Sequence, residues 1–415
     1  MPSFDLLNTA IVIVGLLACV LGLCAFYTLT ERKLSAWMQD RLGPNRVGPG
    51  GMLQPLADGG KFFLKEEVIP SHVDKIFYVL APAVALATAL MALAVVPFGA
   101  TTPPPDPVPV AADGSAVARF EAEQAAYQDS FTFVLNPGLD VGVLYIFAVG
   151  SLAVYGVVLA GWSANSKYSL LGALRASAQI ISYEIPLGMA VLGVFLIVGS
   201  LNPEKIIHWQ TANGVWWLVL FQPLALLLFM TSNYAECNRL PFDLPEAEQE
   251  LVGGYHTEYS ALKLGLMLLS EYVHLIVGSF MVAVLFLGGW SLFGLESVFS
   301  NPVAAAVVKL LILCGKMFAL CIFAQFIRWT IPRFRFDQLM NIAWKVMIPL
   351  SVLNVLCVMF VLQFKGPLVI LTATSLALFL GAGLLSVRWS GSVTNPKRKV
   401  VKLPPGLPAG VTYAS

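Results

Sequence analysis

The chain has 415 residues, 58% of them apolar and only 12% charged, with a mean hydropathy of +0.78 and a formal net charge of +1. An ordinary soluble domain carries about 25% charge and a single soluble core stops growing at roughly 250–300 residues, so a chain this long and this apolar takes lipid as its solvent. The near-neutral charge excludes a nucleic-acid partner, and the six cysteines (19, 24, 237, 314, 321 and 357) form no C-x-x-C pair, which speaks against an iron–sulfur, zinc or disulfide framework.

A membrane-crossing helix needs about 20 mostly apolar residues. The first such run, 6–29, is too long for a cleavable signal, follows Asp5 rather than a basic stretch, and precedes Glu31, Arg32 and Lys33. Eight more follow, at 76–97, 139–162, 177–200, 215–236, 262–288, 303–327, 342–364 and 367–388, the last two forming a hairpin around Lys365-Gly366-Pro367. The expected fold is therefore an all-α polytopic membrane protein of about nine transmembrane helices, with 1–390 as one transmembrane domain. With the N-terminus outside and the C-terminus inside, the inside loops hold eighteen Lys and Arg while the outside loops hold only Arg119, Lys205 and Lys365, which satisfies the positive-inside rule. The outside segment 98–138 contains the Pro-rich stretch TTPPPDPVPVAADGS and reads as mostly irregular, and 391–415 reads as a basic inside tail. In the first inside loop Leu53, Leu56, Gly60, Phe63 and Leu64 recur at helical spacing, so 52–67 is expected to lie on the membrane surface as a short amphipathic helix.

The chain has no P-loop, no strand-associated G-x-G-x-x-G and no H-E-x-x-H, and its four histidines lack metal-ligand spacing. The strongest chemical signal is a crowd of carboxylates: Glu236, Asp243, Glu246, Glu248, Glu250, Glu258 and Glu271, opposed only by Arg239 and Lys263. Like charges that close, partly out of water, cannot all ionise, and a partly protonated set is what a proton relay requires. The alternative is a solvated acidic loop. Glu236 and Glu271 lie at or inside apolar runs, where ionisable groups are functional by default. Arg239, the one cation between Glu236 and Glu258, is expected to hold Glu236 and Asp243 ionised. Glu184 stands beside Pro186 within an apolar run; it suits a water-filled path, or else is a carboxyl kept neutral by a neighbouring hydroxyl. Lys345 and Lys309 either snorkel to the interface or face the interior, whereas Lys316 is too deep to snorkel and should face protein or water. The inside loop RWTIPRFRFDQ (328–338) interleaves Arg328, Arg333 and Arg335 with aromatic rings. It fits either an anionic or planar polar group or simply lipid headgroups.

These residues carry a resemblance. GMLQPLADGGKFFLKE (51–66), PFDLPEAEQELVGG (241–254), Glu31-Arg32-Lys33, GPNRVGP (43–49), LRASAQIISYE (174–184), AECNR (235–239), EYSALK (258–263) and PRFRFDQLM (332–340) resemble, in order, the signatures of one family: the quinone-site membrane subunit of proton-pumping NADH–quinone oxidoreductase, respiratory complex I (subunit 1 of the mitochondrial enzyme). The likeness spans roughly 4–388. Gly60, Ala261 and the length of 98–138 depart from the usual pattern. The resemblance implies a subunit of a multi-pass bacterial inner-membrane enzyme with quinone (ubiquinone or menaquinone) as substrate and no metal, flavin or iron–sulfur cluster of its own. Its partners would be the quinone-site and iron–sulfur subunits of the hydrophilic arm, small membrane subunits and the lipid bilayer. It implies a proton path through Glu184, Glu236, Asp243, Glu246, Glu248, Glu250, Glu258 and Glu271. It implies quinone contacts from Arg32, Asp58, Arg175, Arg239, Phe242, Arg333, Phe334 and Arg335. The rival readings are the matching subunit of a membrane-bound hydrogenase or non-NADH dehydrogenase, against which the intact PEAEQE stands, and a stand-alone transporter, which would show an inverted repeat.

Overall fold

A computed structural model describes residues 6–96, 105, 114–129, 139–212, 217–243, 252–292 and 302–393. The acids Glu246, Glu248 and Glu250, most of the Pro-rich stretch and residues 394–415 of the tail lie outside the described residues. Every regular element among those described is helical.

Seven segments are long and apolar enough to cross a membrane. They are α1 (Leu6–Met38), α3 (Lys75–Ala92), the pair α5 (Gly142–Ser151) and α6 (Ala153–Ser163), α7 (Lys167–Val198), α11 (Ala261–Phe286), α12 (Pro302–Thr330), and α13 (Phe336–Ile342) continued through a π turn at Ala343–Met347 into α14 (Ile348–Gln363). The apolar helices α10 (Pro223–Glu236) and α15 (Val369–Val393) fall in the two remaining expected runs. The amphipathic α2 (Gln54–Leu64), α4 (Gly114–Asp129), α8 (Pro203–Ala212) and the one-turn α9 (Leu218–Phe221) complete the set.

The structure departs from the expected elements in three places. The run 215–236 is not one helix. The chain breaks between α9 and α10 at Gln222 (φ −128°, ψ 54°), because Pro223 has no N–H to continue the ladder and disfavours helical geometry in the residue before it. The buried Gln222 side chain accepts a bond from Asn354 Nδ2 at 2.9 Å, which ties the break to α14. Secondly, α1 continues nine residues past the expected end at 29, to Met38, and α7 begins at Lys167 rather than 177. Glu31, Arg32 and Arg175 are thus fixed on helices instead of hanging in loops. Thirdly, the segment expected to be irregular contains α4. By contrast α7 runs unbroken through Pro186.

Helix α11 is the central span: 78% of its apolar window is buried, against 17% for the windows of α1 and α12 at the periphery. Close approach at the centre rests on small residues, as in other membrane bundles. A Cβ placed on Gly278 of α11 would fall 1.9 Å from Asn233 Oδ1 of α10, and one on Gly156 of α6 would fall 3.0 Å from Ala85 Cβ of α3. Lys316 faces protein. Its ammonium donates to the carbonyls of Leu287, Gly289 and Ser291 at 2.6, 2.9 and 2.5 Å, beyond the last turn of α11, where helix geometry leaves acceptors free and the dipole is negative.

Candidate functional site: two cavities joined at Glu236–Arg239

A cavity of about 1150 Å³ opens between α1, α2, α3 and α11. One end is hydrocarbon, with Leu17, Leu21, Leu86, Leu90 and Leu266 on its walls; the other is polar, with Glu31, Arg32, Asp58, Arg239, Tyr272 and Arg328. Helix α2 forms part of the rim. It carries no residue buried within the chain, and Phe63 and Leu64 are 75% and 89% exposed. The helix that the spacing predicted within 52–67 is present, over Gln54–Leu64. Ligand pockets usually measure 300–1,000 Å³, so this one suits a long amphiphile.

The polar end is built from ion pairs. Glu31 is buried on α1, where its carboxylate accepts from Arg328 Nη1, from Tyr272 OH at 3.0 Å and faces Arg239 Nη1 at 3.5 Å. Arg239 also lies over the Tyr272 ring, 4.0 Å from its centroid. A buried carboxylate needs such partners, since an isolated buried charge is strongly unfavourable. Arg239 Nε is buried without a hydrogen-bond partner among the described residues. At the rim Arg32 pairs with Asp58, whose other oxygen accepts from Gln54 Nε2 at 3.1 Å.

The second cavity is small, about 40 Å³, and is lined among others by Glu236, Asn238, Tyr255, Ser270, Glu271 and His274. That is room for about three or four waters, each needing roughly 10–15 Å³. Tyr255 OH donates to Glu271 Oε1 at 3.2 Å. Glu184, partly exposed on α7, is near enough to Glu236 for their charges to interact. The turn after α10 separates the two cavities: Glu236 lines the small one and Arg239 the large one. Gln179 of α7 holds that turn by donating to Ala235 O at 2.7 Å and Phe242 O at 2.8 Å.

The remaining sequence candidates lie elsewhere. Asp243 is buried against Arg333 Nη2 at 3.1 Å, and Phe242 stacks on Phe334 with 5.6 Å between centroids. Arg175 lies 5.0 Å from the Phe336 ring, and Arg335 is exposed. None of these lines the large cavity; Phe242 and Phe334 border a separate apolar groove between α10, α12, α14 and α15. Glu258 sits apart, its carboxylate 3.9 Å from His72 Nε2. The expectation that Arg239 pairs with Glu236 and Asp243 is corrected: its carboxylate partner is Glu31, because the turn carries the guanidinium toward α1 while Asp243 is taken by Arg333. Tyr272 is a site residue that the sequence did not single out, and Glu31 and Arg328, each named in a sequence motif, were not placed at this site. The available signal was an acid just past an apolar run, followed directly by two bases.

Fold and cavities define a class: a polytopic α-helical membrane protein with a large cavity, apolar at one end and polar at the other, beside a small cavity lined by Glu236 and Glu271. A sequence profile described as NADH dehydrogenase matches residues 11–386. An NADH-quinone oxidoreductase subunit of Cytophaga hutchinsonii is 41% identical over 355 residues, 86% of this chain and 96% of that protein. One from Koribacter versatilis is 44% identical, over 84% and 96% of the two chains. NADH-quinone oxidoreductase subunit 8 of Thermus thermophilus is 44% identical over 381 residues, 91% and 93% of the two. The chain belongs to this NADH dehydrogenase family.

Proposed function

We propose that this chain is the membrane subunit of a proton-translocating NADH:quinone oxidoreductase that forms part of the quinone chamber and starts an acidic proton path into the membrane arm. The observation that carries the proposal is the junction at Glu236–Arg239, where an amphiphile-sized cavity abuts a small cavity lined by carboxyl groups. A quinone has a long apolar tail and a ring whose two oxygens accept hydrogen bonds; Leu-lined walls suit the tail, and the guanidinium groups of Arg239 and Arg328 offer donors to the ring. Reduction of a quinone takes up two protons with two electrons. The electrons come from a partner subunit of the hydrophilic arm. The charge change beside Arg239 and Glu31 is then felt across the turn, where Glu236 and Glu271 can exchange protons with water, with Glu184 adjoining them. Glu246, Glu248 and Glu250 extend the same path in this reading, and Glu258 marks its inside surface. The loop bearing Phe242, Asp243, Arg333, Phe334 and Arg335, with Arg175 beside it, serves as a docking face for partner subunits. The eighteen-to-three charge split supports the N-terminus outside, and residence in the bacterial inner membrane follows from the family reading.

The test is occupancy of the tail channel. Leu266→Trp adds bulk at the apolar wall, and a loss of 1.4 kcal/mol is about tenfold in affinity. KM for a long-tailed quinone should rise roughly tenfold while KM for a short-tailed analogue changes little. Equal KM values for both substrates before and after substitution would remove the tail from this cavity.

A further inference from the structure

The small cavity holds a titratable group, His274, that the proposed path does not use. His274 lies three residues beyond Glu271 on α11, so both side chains share a helix face, and both line the 40 Å³ cavity with Glu236. Nε2 of His274 is buried and has no hydrogen-bond partner among the described residues. A buried polar atom left unpaired is unfavourable, and about nine-tenths or more of such groups find a partner in protein or ordered water. The cavity is larger than the roughly 10–15 Å³ one water requires, and its polar walls supply the two to four partners such a water needs. Around it α3 and α6 contribute only small or apolar residues, among them Ala85 and Gly156, α5 contributes Gly150, and α7 contributes Ile180. The titratable groups facing His274 are therefore Glu236 and Cys237 from α10, Tyr255 from the following loop and Glu271 from its own helix. No lysine or arginine among the described residues lines this cavity; Arg239 acts on Glu271 only from across the turn.

We infer that His274 is a proton-carrying residue of this cavity, relaying protons through water between Glu271 and Glu236. The step moves one proton and no electrons. Neutral imidazole takes the proton at Nε2 through water from one protonated carboxyl, leaving a carboxylate. The imidazolium then returns it through water to the other carboxylate, which regenerates neutral imidazole. Imidazole suits this because one ring nitrogen can both take up and release a proton. The inference rests on the proton-path reading above.

The experiment compares His274→Asn and His274→Gln with Glu236→Gln and Glu271→Gln in the assembled membrane complex. Quinone reductase rate and proton uptake into vesicles are measured against pH and normalised to complex content. Both His274 amides keep hydrogen bonding but cannot titrate, and Gln fills more of the imidazole volume should the Asn complex fail to assemble. Turnover is expected to fall roughly tenfold, less than the 10²–10⁴ lost with a directly reacting acid–base group, and the pH–rate profile to lose a limb that the parent shows. Lowered activity in the Glu variants with parent-like rate and pH profile in both His274 variants would overturn the inference while leaving the path standing. Parent-like activity in both Glu variants would remove the path, and the inference with it.

Discussion

The two cavities meet within four residues of chain, yet they handle charge in opposite ways. In the large one each named carboxylate has a cation: Glu31 has Arg328 and Arg239, and Asp58 has Arg32. In the small one two carboxylates share the walls with a tyrosine, a serine and a histidine, and with no lysine or arginine among the described residues. Arginine stays protonated at working pH, so the first cavity is a set of fixed charges suited to binding and orienting. The second has carboxyl groups beside space for water, the composition that lets protons move. Burial alone does not separate them, since Glu31 and Glu271 are 8% and 6% exposed. What separates them is which residue types the helices bring alongside.

The largest effect should come from removing the fixed charge nearest the junction. Arg239→Met leaves buried Glu31 with one cation instead of two and strips the cover from Tyr272. Breaking a buried pair from one side typically costs about 3–5 kcal/mol. Quinone reductase activity per assembled complex should fall at least about tenfold, the equivalent of 1.4 kcal/mol, and complex content should drop. Arg239→Lys keeps the charge without the planar fork and should retain part of the activity. Parent-level activity in the Met variant would mean that Arg328 alone satisfies Glu31 and that Arg239 has no share in the site.

Next in size is the exchange of a proton site for an amide in the small cavity. Glu271→Gln keeps volume and the acceptor for Tyr255 OH. Quinone reduction and proton pumping are expected to fall together, with assembly intact. If reduction falls and the protons pumped per quinone also change, the cavity sets stoichiometry rather than conduction, and the division drawn between the cavities is wrong.

Much of this architecture could be read from one sequence, and the unread part has a common cause. Seven of the nine apolar runs coincide with helices long and apolar enough to cross a membrane, because lipid demands such runs residue by residue. The helix at Gln54–Leu64 shows in the spacing of its leucines and phenylalanines. Glu236 and Glu271 stood out as acids in apolar surroundings. Pairings did not show. Glu31, Arg239 and Arg328 meet from three distant stretches, and Asp243 reaches Arg333 across 90 positions. Counting charges along the chain made Glu236 and Asp243 the natural partners of Arg239, and tertiary packing chose Glu31. The break at Gln222 lay in plain view as a proline, but an apolar run of ordinary length concealed it.

A smaller effect is expected at Asp243, which by position belongs with the acids and by partner belongs with the fixed charges. Asp243→Asn leaves Arg333 facing a neutral amide and weakens the Phe242–Phe334 contact beside it. A hydrogen bond to a charged group contributes about 1.5–3 kcal/mol. Since Arg333 is partly exposed, water recovers some of it, and activity per complex should fall by only about threefold, or 0.6 kcal/mol. A loss as deep as that of Glu271→Gln would move Asp243 into the proton path.

The smallest effect on turnover is expected at an acid that is buried but touches neither cavity. Glu204, on α8 on the outside by the charge asymmetry, is 4% exposed and accepts from Tyr127 OH of α4. Burial pushes its carboxyl from the usual 4.5 to about 7, with the Tyr127 bond acting the other way. Between those two values the folded chain binds a proton that the unfolded chain does not, so stability falls as pH rises through this window. It is fully present below about 4.5 and lost above about 7. A difference of that size corresponds to an order of 3 kcal/mol at 1.36 kcal/mol per pH unit. Glu204→Gln is neutral in both states and should remove this share of the pH dependence. In the purified complex, the temperature of half-inactivation should then fall less between pH 5 and pH 8 than in the parent, with turnover unchanged at neutral pH. This variant sharpens the comparison because Glu204 matches Glu271 in burial and lacks the cavity. Should its turnover fall as far as that of Glu271→Gln, burial of a carboxyl would be enough to make it essential to turnover, and the water-sized cavity would no longer distinguish Glu271.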